Sequence, residues 1–81
     1  MRKHYMTLCI RDNVEITHIE KNGEIEVTFE TAVKDGFKSA VFNIKGETLM
    51  NDGYNASELD FFSRFVLKNE EGIVAESKGL I

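Results

Sequence analysis

The sequence predicts an α+β domain of two layers: an antiparallel β-meander of four to five strands, with one amphipathic helix (about 56–68) packed on one face. Three observations point there. Two short hairpin signals, Asn22-Gly23 and Asp35-Gly36, separate runs in which apolar and polar residues alternate. Counting outward from either turn places the apolar residues of neighbouring strands on the same side, so independent turns agree on one core face. The stretch NASELDFFSRFVLK then changes to helical spacing and puts Leu59, Phe61, Phe62, Phe65 and Val66 on one side.

Taken in order, residues 1–4 read as a short N-terminal arm. Tyr5 to Ile10 is a strand with Met6, Leu8 and Ile10 inward. Arg11-Asp12-Asn13 serves as a three-residue turn, which pairs Ile10 with Val14, Leu8 with Ile16 and Met6 with His18. Val14 to Glu20 is the second strand. The Asn22-Gly23 turn requires positive φ at both central residues and sets Glu20 opposite Ile25, His18 opposite Val27, Ile16 opposite Phe29 and Glu15 opposite Glu30. The inward residues are then Val14, Ile16, Ile25, Val27 and Phe29, with His18 among them. If Asp35-Gly36 is the next loop, Phe29 meets Phe42, Val27 meets Ile44, Thr31 meets Ala40, and Glu26 faces Lys45.

Lys45-Gly46-Glu47 reads as a third turn, and Thr48 to Met50 as a short strand with Leu49 or Met50 inward. Residues 51–54 lead into the helix. Asn55 with Glu58 three residues on has the form of a capping box, in which each side chain satisfies a backbone N–H of the first turn. Asp60, Ser63, Arg64 and Lys68 occupy the opposite helix face. Asn69 or Gly72 is expected to end the helix in the left-handed conformation. Ile73 to Ser77 reads as a final strand returning to a sheet edge, then a tail at 79–81 in which Leu80 and Ile81 are apolar.

The chain has 81 residues and a net charge of −4, which fits one small domain, 1–81, with a thin stability margin. Arg2, Lys3 and Arg11 sit at the start, so the remainder of the chain is strongly acidic. Acidic surfaces repel phosphate backbones, and no nucleic-acid partner is expected. No apolar run is long enough to span a membrane. The opening residues lack the apolar length of a secretory signal, and the single cysteine allows no internal disulfide; the expected location is cytoplasmic.

The residues offer little catalytic chemistry. His18 is expected at the core edge among apolar neighbours, without the nucleophile or carboxylate a catalytic histidine needs. His4 is expected to be solvated. Cys9 has no second ligand or base beside it. The loop at 51–55 resembles a calcium loop, but six places after Gly53 stands Leu59 where glutamate is required. No phosphate-binding glycine loop or hydrolase motif is present. The expectation is a non-enzymatic protein, with no cofactor and no metal.

The distinctive feature is the outward sheet face: Glu15, Thr17, Ile19, Glu26, Thr28, Glu30 and Val41. Like charges at Glu15 and Glu30 stand directly opposite each other, at a cost of a few tenths of a kcal/mol when exposed. The expected function is a small interaction domain that binds a protein partner, or itself as a homodimer, through this face or an edge strand. The alternative is an acidic inhibitor from a phage or mobile element that blocks a nucleic-acid-binding host protein.

Overall fold

The computed structural model describes residues 2–9 and 12–79. The pairing expected for Ile10, the Arg11 part of the first turn, and the placement of Met1, Leu80 and Ile81 lie outside the described residues. Among those described, five strands form one antiparallel sheet in chain order: β1 Lys3–Cys9, β2 Asn13–Lys21, β3 Glu24–Val33, β4 Gly36–Asn43 and β5 Thr48–Asp52. Two helices come after them, α1 Ala56–Lys68 and α2 Glu70–Ser77.

The β2–β3 hairpin has the expected register, with His18 opposite Val27, Ile16 opposite Phe29 and Glu15 opposite Glu30. Asn22 and Gly23 both take positive φ, 53° and 81°, as a type I′ turn demands. The β3–β4 register differs from expectation. Val33 pairs with Gly36, so Lys34 and Asp35 form the loop, Phe29 meets Ala40, Val27 meets Phe42 and Thr31 meets Lys38. The reason lies in the turn: Asp35 does not take positive φ, whereas Gly36 does, at 154°. Sliding the loop by one residue moves the pairing by two, which preserves every side chain's face. Glu26 accordingly faces Asn43 rather than Lys45, and the Lys45 ammonium lies 3.6 Å from Glu70 instead.

The first hairpin shows the same displacement. Leu8 pairs with Val14 and Met6 with Ile16, while Cys9 pairs with Asn13, which opens β2 rather than closing the turn. The strand also starts earlier than expected and takes in Lys3 and His4, so the arm is not free at those positions. An irregularity between His4 and Met6 gives β1 an extra residue, Tyr5. Tyr5 packs edge-on to both His18 and Phe65, whereas Met6 is 38% exposed.

β5 is longer than expected, and all five of its residues are exposed, so neither Leu49 nor Met50 points into the core. Tyr54 supplies the apolar bulk at that end: it is buried, packs edge-on to Phe62, and shares a 2.7 Å hydrogen bond with Thr31.

The Asn55–Glu58 capping box of α1 is present in both directions, with backbone-to-side-chain distances of 2.8 and 3.0 Å. Phe62 and Val66 are buried, and Leu59 and Phe65 pack against the core. Phe61 departs from the expected apolar face and is 48% exposed. Ser63, expected on the solvent side, donates to the Gly46 carbonyl at 2.7 Å. A Cβ on Gly46 would stand 2.9 Å from the Ser63 hydroxyl, so the β4–β5 turn reaches the helix only because that residue is glycine.

The largest correction concerns 70–77, which is helix rather than strand. A short Ile-Val run has the same apolar content in a strand or in a buried helical turn. Here Ile73 is fully buried in the core and Val74 packs beside it. Asn69 joins the helices at φ −108°, not in the left-handed conformation, and Gly72 lies inside α2. Gly72 has a packing role: a Cβ there would meet the Tyr5 hydroxyl at 2.9 Å.

The core centres on Phe29, whose ring stacks on Phe62 at 4.3 Å and meets Phe42 and Phe65 edge-on at 5.3 and 6.0 Å. Replacing Phe29 with Leu should cost ~1–2 kcal/mol and with Ala ~3–5 kcal/mol in urea unfolding, against under ~1 kcal/mol for Phe61→Ala. Equal losses at the two positions would contradict the packing described.

Burial pushes the Tyr54 hydroxyl above its usual 10.0; the Thr31 hydrogen bond acts in the opposite sense, and Glu58 and Glu30 add to the rise. A raised folded-state value makes this contribution to stability complete below the unfolded value and lost as pH climbs through the folded one. Urea midpoints should therefore fall as pH rises from about 10 upward. In Tyr54→Phe that part of the alkaline loss should disappear.

Candidate functional site

Both helices pack on the inner face of the sheet, through Phe62, Val66 and Ile73. Among the described residues no element covers the outer face. Despite irregularities at Tyr5 in β1 and at Leu49 in β5, the paired side chains there fall into rows. One row runs Thr7–Glu15–Glu30–Ser39–Asp52. Beside it runs His4–Thr17–Thr28–Val41–Met50, and beyond that Ile19–Glu26–Asn43. All seven residues singled out from the sequence thus share one open surface.

Their exposure differs in a way that alternation alone does not reveal. Glu15 is exposed, while Thr17, Ile19, Glu26, Glu30 and Val41 are half-buried. Thr28, on the central strand, is only 5% exposed. Neighbouring side chains on both flanks crowd it, because adjacent strands lie about 4.8 Å apart. The Thr17 hydroxyl oxygen is buried without a hydrogen-bond partner.

Arg2 and His4, from the residue before β1 and from β1 itself, stand beside the Glu15–Glu30 pair. An Arg2 guanidinium nitrogen lies 3.5 Å from Glu30, and His4 Nδ1 lies 3.7 Å from Glu15. These contacts are partly solvated and each is worth under about 1 kcal/mol. Asp52 joins the acidic row because β5 extends beyond its expected end. The sequence offered no cue for that addition.

The second site is one the sequence concealed. His18 is 1% exposed, and its neighbours are not all apolar as expected: Nδ1 lies 2.7 Å from the Ser77 hydroxyl, and Nε2 lies 3.7 Å from Glu76 Oε1. Which of Ser77 and Nδ1 donates depends on the imidazole tautomer, and buried Nε2 makes no hydrogen bond, the carboxylate standing too far off for one. A small cleft of about 180 Å³ lined by Lys3, His18, Ile19, Glu20 and Ser77 adjoins them. Both partners come from α2, so reading 73–77 as a strand hid this cluster.

Hydroxyl, imidazole and carboxylate in sequence suggest nucleophilic catalysis. The position argues otherwise. Ser77 occupies the last turn of α2, the negative end of the helix, where the amides of Lys78 and Gly79 already bond the Val74 and Glu76 carbonyls. Acyl transfer needs N–H groups directed at a developing oxyanion, and this end presents carbonyls. What the bond does accomplish is fastening α2 to β2.

A larger cleft, about 450 Å³, lies where α1 begins, lined by Asp12, Val14, Thr31, Lys38, Asn55, Ser57, Glu58, Phe61 and Phe62. Its charges are engaged internally: Lys38 is 3.8 Å from Glu58, and Glu58 also caps α1. Cys9 is exposed and donates its thiol to Asn13 at 3.2 Å. Among the described residues no three His, Cys, Asp or Glu side chains gather as metal ligands. No described helix is long and apolar enough to cross a membrane.

No protein-family model, curated protein or solved structure matches the chain.

Ser77→Ala should cost about 1–2 kcal/mol, because His18 loses a buried partner. Hydrogen exchange of the α2 amides should accelerate more than that of β2 and β3. Uniform acceleration across the protein would show that the bond does not specifically hold α2.

Proposed function

We propose that the protein is a non-enzymatic interaction domain whose outer sheet face docks a protein partner. The observation that carries this reading is the open face itself, five strands wide, with an acidic row (Glu15, Glu30, Asp52) running alongside a row of Thr17, Thr28, Val41 and Met50. Interfaces combine an apolar strip with charges that select orientation, and this pattern has both. The complementary partner presents a basic row beside an apolar one, spaced by about 7 Å, which is two residues along a strand.

The alternative, mimicry of a phosphate backbone, needs an array of uncompensated negative charge. Arg2 lies against Glu30 on this surface, which makes the array shorter and weaker. Half-buried Ile19 and Val41 also suit a protein surface better than a nucleic-acid groove. These features support the first reading over the second.

The test is recovery of bound protein by the tagged chain from the organism that encodes it, with wild type compared against the double variant Glu15→Thr, Glu30→Thr. The variant should lose the partner while keeping or slightly raising its melting temperature, since the like-charge pair costs a few tenths of a kcal/mol. A partner retained undiminished by an equally stable variant would remove the outer face from consideration. Retention that collapses steeply with added salt, without regard to the apolar row, would favour phosphate mimicry.

A further inference from the structure

The two edges of the sheet are not equivalent. Both edge strands carry an irregularity, at Tyr5 in β1 and at Leu49 in β5, but β1 also carries Lys3 with Arg2 just before it, basic residues of the kind that discourage strand addition. β5 has neither proline nor a basic residue, its five residues are all exposed, and Leu49 and Met50 are 52% and 44% exposed. Among the described residues no strand pairs with the outer edge of β5. It offers backbone N–H and C=O groups to an incoming strand.

We propose that β5 pairs antiparallel with β5 of a second copy, making a two-fold dimer with one continuous ten-stranded sheet. The strand's own residues favour this occupant. With Met50 on the two-fold axis, Thr48 stands opposite Asp52 and Leu49 opposite Asn51, so the strand's single charge meets a hydroxyl and no like charges face each other. The axis brings Met50 against its copy and prolongs the row Thr17–Thr28–Val41–Met50 into the second subunit. The competing arrangement, outer face against outer face, would bring together two surfaces that each carry Glu15, Glu30 and Asp52 and is opposed by charge. Pairing β5 with β1 of another copy would be heterologous and would not close at two subunits, whereas β5 with β5 does. A single edge pairing is a small interface, so the dimer is weak and dissociates on dilution. The inference stands independently of the partner proposed for the outer face.

Sedimentation equilibrium over a micromolar to millimolar series tests it under reducing conditions. The wild-type mass should climb from 9.2 kDa toward twice that value. Met50→Lys, an exposed substitution expected to leave the melting temperature unchanged, should stay monomeric throughout. A wild-type protein that stays monomeric to millimolar concentration overturns the proposal, as does a Met50→Lys variant that dimerises like wild type. A cross-link supplies a second reading. In a Cys9→Ser background, Met50→Cys should oxidise to a covalent dimer much faster than the exposed control Ser57→Cys, and equal rates would place the contact elsewhere.

Discussion

Everything in this fold depends on the contact between Phe29 and Phe62. Phe29 sits on the central strand, and Phe62 projects from the middle of α1; their stacked rings, 4.3 Å apart, join the layers. Around them Phe42, Phe65 and Tyr54 pack edge-on to one or the other ring. A domain this small has room for one such centre. Both helices gather over it on the same side, and α2 closes the remaining end by burying Ile73. The consequence is an asymmetry: one face of the sheet holds the core together, and among the described residues nothing covers the other.

The faces of the sheet were legible from the sequence because facing has a period of two. The loop at Lys34-Asp35 was displaced by one residue from the Asp35-Gly36 signal, and the first turn was displaced likewise; each slip moved the pairing by two and kept the faces, except that the irregularity in β1 turned Tyr5 toward the core and left Met6 exposed. Cross-strand neighbours are less forgiving. Glu26 exchanged Lys45 for Asn43, and only the hairpin with a true type I′ turn, at Asn22-Gly23, kept every partner. The α1 cap was legible for a similar reason: Asn and Glu three residues apart encode a local geometry with no tertiary help.

What the sequence concealed depends on tertiary context. The 70–77 segment has too few apolar residues to declare a period, and as a helix it buries Ile73 in the core with Val74 packed against it. The polar environment of His18 was hidden with it, since Ser77 and Glu76 reach the ring only from a helix. The seven residues named from the sequence share the outer side of the sheet, but their arrangement in rows, the entry of Asp52, and the approach of Arg2 to Glu30 and of His4 to Glu15 required the five-strand pairing.

The central claim is that the open face is a binding surface. The most direct measurement is a methyl NMR spectrum of the labelled protein with and without soluble extract from the organism that encodes it. The account predicts selective broadening at Thr17, Thr28 and Val41, with Ile16, Val27 and Ile73 on the covered side unaffected. Unchanged outer-face methyls, or broadening confined to the α1 surface around Phe61, would contradict it.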